Sequence, residues 1–168
     1  MGNSTFTRSG LRNARGPGFL VRRLQQVSLS IFHEHLQSLD ITPLQMTVLL
    51  MLQIEDGLEQ VAVAARARVD TSTLKDVVNR LETKGLLKRE PGLEDRRTRR
   101  LFLTPDGRAL LQQAQPEARR ASQVLLAPLA AAERKQFLEM MERLVTAHED
   151  NQLASPDAPW KRSKPMTD

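Results

Sequence analysis

One stretch dictates most of what this chain can become. From Leu44 to Ile54 the residues are apolar on nearly every side, with Val48, Leu49, Leu50, Met51 and Leu52 in succession. A helix of that kind has to lie in the middle of a fold, covered from several directions. The segment in front of it, Asp40-Ile41-Thr42-Pro43, both breaks an earlier helix and starts this one, with Thr42 as N-cap and Pro43 at the first helical position. The earlier helix begins at Pro17. Leu20, Leu24, Val27, Ile31, His35 and Leu39 follow steps of three and four along one of its faces.

Beyond Gly57 the pattern predicts a short helix over residues 59–67, rich in alanine and valine. Asp70 is a good N-cap for a further helix from Thr71 to Lys84, and Gly85 suits the left-handed stop after it. Leu74, Val77, Val78 and Leu81 form the inward stripe of that helix. Thr71, Ser72, Thr73, Lys75, Asp76, Asn79 and Arg80 face the other way, with Asp76 and Arg80 spaced to pair. The period then changes to that of a hairpin. Residues 86–90 form its first strand, Pro91-Gly92 opens a charged loop, and residues 99–103 return as the second strand. Thr104-Pro105 repeats the cap-then-proline signal and starts a long helix, in which Pro116 predicts a kink. A last helix, 131–148, carries Phe137, Leu138, Met141, Leu144 and Val145 at core-helix spacing.

Two short helices joined by a tight turn and followed by a basic hairpin make a winged helix-turn-helix. The fold class is therefore mainly α, with α+β character only from the wing. Its second helix fits the major groove of DNA, where all four base pairs present distinct donor and acceptor patterns. Thr71, Ser72, Thr73 and Lys75 in the first turn are the leading base readers, with Asn79 and Arg80 one turn later. Arg96, Arg97, Arg99 and Arg100 fall within five residues at the hairpin, as a wing that enters the minor groove requires. A net charge of +5 agrees with an anionic partner.

Composition removes other chemistries. With no cysteine there is no disulfide, thiolate site or thiol switch, and three histidines leave little for a metal. His33 and His35 sit roughly 200° apart on their helix and cannot chelate one ion. Ser72-x-x-Lys75 matches an acyl-enzyme motif, but its Ser-Asp-Asn and Lys-Thr-Gly companions are missing. No phosphate loop or nucleophile–base pair stands out, so the expectation is a non-enzyme without cofactor. No apolar run approaches the ~20 residues that span a bilayer, and a cytoplasmic location is expected.

Several motifs together resemble one family. Asp95-Arg96-Arg97 precedes Leu101-Phe102-Leu103-Thr104-Pro105-Asp106-Gly107, and Asp70-Thr71-Ser72-Thr73-Leu74 precedes Arg80-Leu81-Glu82 and Gly85-Leu86. With Thr42-Pro43-Leu44-Gln45 and the closing helix around residues 129–145, these are similar to the multiple antibiotic resistance regulator (MarR) family over roughly residues 18–148. The resemblance implies that Asp95 orients the wing and Arg97 enters the minor groove. It implies a homodimer interlocked by the first and the last two helices, with Leu20, Leu24, Phe137, Met141 and Leu144 at the interface.

A pocket for a small aromatic acid would lie between the dimer region and the DNA-binding lobe, with His35, Phe32, Ile31 and Met46 as its candidate lining. The corresponding organisation is a basic arm over 1–16, a helical dimerisation region over 17–41 and 108–150, a DNA-binding lobe over 42–107 and a tail over 151–168. The function implied is a ligand-responsive repressor of a pseudopalindromic operator, similar to regulators of nicotinate and related aromatic-acid breakdown. An effector-independent architectural or constitutive regulator is the alternative. One departure stands out: Arg68 occupies a turn position where the family often has glycine, which predicts either strain or a different turn.

Overall fold

The computed structural model describes residues 16–92 and 97–153. The first helix, α1 (Pro17–Leu36), runs into a 3-10 turn over Gln37–Leu39, and Asp40 closes it in the left-handed region with φ of 46°. Helix α2 (Pro43–Ile54) starts as the sequence predicts, and more firmly. Thr42 Oγ1 accepts from the Gln45 amide at 3.2 Å, while Gln45 Oε1 accepts from the Thr42 amide at 2.9 Å. This reciprocal box satisfies two donors that a helix start otherwise leaves open. Along α2, Val48, Leu49 and Leu52 are wholly buried, which gives the all-apolar segment its central place.

Leu58–Glu59 forms a two-residue strand, β1, before helix α3 (Gln60–Ala67). The recognition-helix candidate, α4 (Thr71–Thr83), has Leu74, Val78 and Leu81 fully buried, and Gly85 takes the left-handed stop at φ of 68°. Strands β2 (Leu87–Pro91) and β3 (Arg99–Leu103) pair antiparallel, Leu87 opposite Leu103 and Arg89 opposite Leu101. β1 adds to the far side of β3 through Leu58 opposite Leu101, so the sheet has three strands in the order β1-β3-β2, where the sequence predicts a two-stranded hairpin.

Helix α5 (Pro105–Leu126) continues unbroken past Pro116. Its start is seated directly on the end of α4. Thr104 Oγ1 donates to the Gly85 carbonyl at 2.7 Å and accepts from the Gly107 amide at 3.0 Å. A Cβ on Gly107 would lie 2.1 Å from the Leu86 carbonyl oxygen, so this position admits no side chain. Helix α6 (Ala131–Leu153) extends one turn past the predicted end at 148.

The chain divides into two compact units after Leu125. The larger unit holds a single core, built on Leu36, Leu49, Leu52, Leu74, Leu81, Leu101 and Leu111. In the smaller unit α6 leaves Leu138, Met140, Met141, Leu144 and Val145 exposed, and Phe137 is half-buried. On α1, Leu20 is exposed and Leu24 half-buried. Among the described residues no helix is long and apolar enough to cross a membrane.

Candidate nucleic-acid interface and cavity

The outer face of α4 exposes Thr71, Ser72, Thr73, Lys75, Asp76, Asn79 and Arg80 together. Asp70 caps the helix, its Oδ1 accepting from the Thr73 amide at 2.8 Å. The same carboxylate also accepts from the hydroxyls of Ser72 and Thr73, the latter at 2.6 Å. Those hydroxyl bonds, Ser72 first, hold the Asp70 carboxyl well below the ordinary carboxylate range. No Asp76–Arg80 pair forms among the described residues. The side chain that joins α4 to the wing is instead Arg89.

By sequence, Arg89 is one residue of the first hairpin strand, 86–90. In β2 it stands two residues after buried Leu87, hence on the same, inward face of the sheet. From there Nη1 reaches Glu82 Oε2 at 2.8 Å and Nη2 reaches Asn79 Oδ1 at 2.6 Å. Its Nε is buried without a hydrogen-bond partner. The signal for this role was the alternation across Leu87 and Arg89, obscured by the neighbouring charges of Lys88 and Glu90.

The wing arginines divide. Arg97 and Arg99 are exposed and each is engaged with other groups of the protein. Arg100 turns to the protein rather than outward: it is half-buried, Nε donates to the Gly57 carbonyl at 2.8 Å, and its guanidinium lies 5.2 Å from the Phe102 ring centre. Arg100 therefore differs from Arg97 and Arg99 in its surroundings. The reason is the turn after α2, which brings a carbonyl acceptor alongside β3. Asp95 and Arg96 lie outside the described residues.

Arg68 resolves the turn question, since it adopts the left-handed conformation with φ of 53° and ψ of 42°. Turn geometry is thus retained and the side-chain-bearing residue carries the strain. The last turn of α4 is tied elsewhere too. Lys84 donates to the Asp40 carbonyl and, at 2.8 Å, to Asp40 Oδ2, which lowers the Asp40 pKa.

A cavity of about 260 Å³ opens between α1, α2 and α5, lined by Ser28, Phe32, Pro43, Met46, Thr47, Leu50, Ala118, Ala121, Ser122 and Leu125. Phe32 and Met46 of the predicted lining are there; Ile31 and His35 are not. Those two sit on an adjacent stripe of α1, turned roughly 60–100° from Phe32. His35 faces α5 instead, with Nδ1 3.7 Å from Glu117 Oε2, and Glu117 also accepts from Arg120 at 2.7 Å. The lining contains three hydroxyls and no basic side chain. Among the described residues no cluster of His, Asp and Glu is arranged to hold a metal ion.

Comparison with known proteins places this geometry. Residues 39–98 match the model described as the MarR family. The PcaV transcriptional regulator of Streptomyces coelicolor, solved in complex with its natural ligand, is 36% identical with a TM-score of 0.72, over 80% of this chain and 95% of that one. BpsR of Bordetella bronchiseptica, whose DNA binding is regulated by 6-hydroxynicotinic acid, is 30% identical with a TM-score of 0.75, over 79% and 94%. The transcriptional repressor NicR of Pseudomonas putida is 29% identical over 79% of this chain and 84% of its own length. Matching motifs, a three-stranded winged sheet and near-complete coverage of these regulators converge on one conclusion: the chain belongs to the MarR family of winged-helix transcriptional regulators.

Proposed function

We propose that the protein acts as a homodimeric repressor in the cytoplasm, reading a pseudopalindromic operator with α4 in the major groove and the β2–β3 wing in the flanking minor groove. The observation that carries this reading is the outer face of α4. Seven polar residues are exposed there side by side, on a helix whose opposite stripe is fully buried. In this reading Thr71, Ser72, Thr73, Lys75, Asn79 and Arg80 meet base edges and nearby phosphates. Arg97 and Arg99, with Asp95 and Arg96, serve the wing. Dimerisation covers the apolar side chains that α1 and α6 each leave in solvent, Leu20 and Leu24 on the one, Phe137, Met141 and Leu144 on the other.

The effector we assign to the α1–α2–α5 cavity is a small aromatic acid. An aromatic ring suits Phe32, Met46 and Leu50, and hydroxyls at Ser28, Thr47 and Ser122 suit its polar substituents. The natural ligand bound by PcaV and the 6-hydroxynicotinic acid that regulates BpsR support an effector in this family setting. An effector-independent regulator is favoured by one observation: the cavity offers a carboxylate no counter-charge.

A titration separates these readings. Fluorescence anisotropy is followed on a duplex that the protein selects from a random pool, across a salt series. Wild type is expected to bind tightly with a steep salt dependence, and Arg97→Ala to bind more weakly with a slope reduced by about one phosphate contact. Addition of 6-hydroxynicotinate is expected to release the duplex. Release by no aromatic acid would leave the effector-independent reading, and no preference for the selected duplex over random competitor would end the operator-binding one.

A further inference from the structure

The hydrogen bonds inside α4 restrict what its exposed side chains can say to DNA. A carboxylate accepts and never donates, so the hydroxyls of Ser72 and Thr73, both bonded to Asp70, must spend their single protons on it. Only their lone pairs remain for a ligand. At Asn79 the situation is reversed. A guanidinium donates and never accepts, so Arg89 Nη2 must meet the amide oxygen, 2.6 Å away, which leaves the amide NH₂ for the outside. Glu82 holds the other arm of the same guanidinium at 2.8 Å and fixes its position.

We infer that Asp70 and Arg89 set the base preference of this regulator from behind the reading face, making Ser72 and Thr73 acceptors only and Asn79 a donor only. This rests on the assignment of α4 to the major groove. There adenine N6 and cytosine N4 are amine donors, while guanine O6 and thymine O4 occupy the equivalent places as acceptors. Thr73 therefore reads adenine or cytosine at its contacted base, and rejects guanine and thymine because two acceptors would face each other. Asn79, with only its NH₂ free, reads an acceptor on a base edge. Asp70 and Arg89 are positioning residues: neither touches the base.

The inference is tested by substituting the cap without removing it. Asparagine is as good an N-cap as aspartate, so Asp70→Asn keeps the bond to the Thr73 amide. Its NH₂, however, donates to Thr73 Oγ1 and turns the threonine proton outward. Full-length wild type, Asp70→Asn, Thr73→Val and Arg89→Met would each be run against a random duplex pool, followed by affinities for every single-base variant of the enriched site. Thr73→Val is expected to flatten discrimination at one base pair of each half-site and so to identify it. At that pair the exocyclic group of each base is removed in turn to identify the contacted strand: wild-type affinity is expected to fall roughly 5- to 100-fold on loss of an adenine or cytosine amine, and Asp70→Asn affinity on loss of a guanine or thymine oxygen. Arg89→Met frees the Asn79 amide to turn and relaxes preference at a different pair.

Wild-type affinity that depends on an exocyclic oxygen, and not on an amine, at the pair that Thr73→Val flattens overturns the inference, even if Asp70→Asn fails to fold. So does an unaltered preference in a folded Asp70→Asn protein, or a Thr73→Val protein that flattens no pair. Each of these leaves operator binding intact. Enrichment of no sequence by wild type fails both this inference and the operator reading beneath it.

Discussion

Arg68 and Asp40 occupy a backbone region that residues with side chains seldom enter, at φ of 53° and 46°. Each ends a helical segment just before the next begins, so the strain is local to a corner that the chain has to turn. A left-handed conformation costs an ordinary residue roughly 1–2 kcal/mol, and a β-branched one more. Arg68→Val should therefore destabilise the protein by about 1 kcal/mol or more in urea unfolding, whereas Arg68→Gly should sit clearly above it. Equal midpoints for the two variants would show that the turn relaxes to another geometry. The same scale shows what local sequence could and could not reveal. Thr42, Asp70 and Thr104 announce helix starts because a cap reaches only three residues ahead, and all three accept the amide they were expected to. Arg100 binding the Gly57 carbonyl spans 43 positions, and nothing near Arg100 encodes it.

Among the elements, strongly periodic helices were legible and short or coupled pieces were not. The α4 stripe of Leu74, Val78 and Leu81 could be counted off directly. β1 could not, because two residues carry no alternation and Leu58 becomes a strand only by pairing with Leu101. The Arg89 clamp escaped for a related reason: strand register, not composition, turns its side chain toward α4. The end of α6 at Leu153 was placed too early because polar residues past 148 continue a helix without an apolar stripe to mark it. Acid should weaken the contribution of α4 and of the α1–α2 corner. Asp70 and Asp40 both have carboxyl pKa values lowered below the ordinary 3.8, so the folded state holds fewer protons than the unfolded one. Their stabilisation is complete above that value and disappears as pH falls through the lowered ones. Thermal melting between pH 5 and pH 2 should show this loss in wild type and a shallower one in Asp70→Asn. Identical profiles would mean that Asp70 adds nothing to acid sensitivity.

For the whole molecule, the apolar side chains of α6 are the strongest constraint on the state in which it exists. Leu138, Leu144 and Val145 are each more than half exposed, and Met140 and Met141 nearly so, on one helix of a compact unit. Contiguous apolar surface of that kind marks an association site in proteins that remain in solution. Met141→Lys combined with Leu144→Glu is expected to yield a monomer by light scattering, and to abolish the protein-concentration dependence of the melting temperature. A dimer that survives both changes would move the interface elsewhere. The seat of Gly107 on the Leu86 carbonyl has a mechanical meaning at this scale. With no side chain between them, the start of this helix packs directly on a backbone oxygen. Eleven residues further on, about 16 Å along the axis, the same helix forms one wall of the α1–α2–α5 cavity at Ala118. In the proposed function, a ligand that displaced that wall would bear on a helix whose other end adjoins the chain leaving α4.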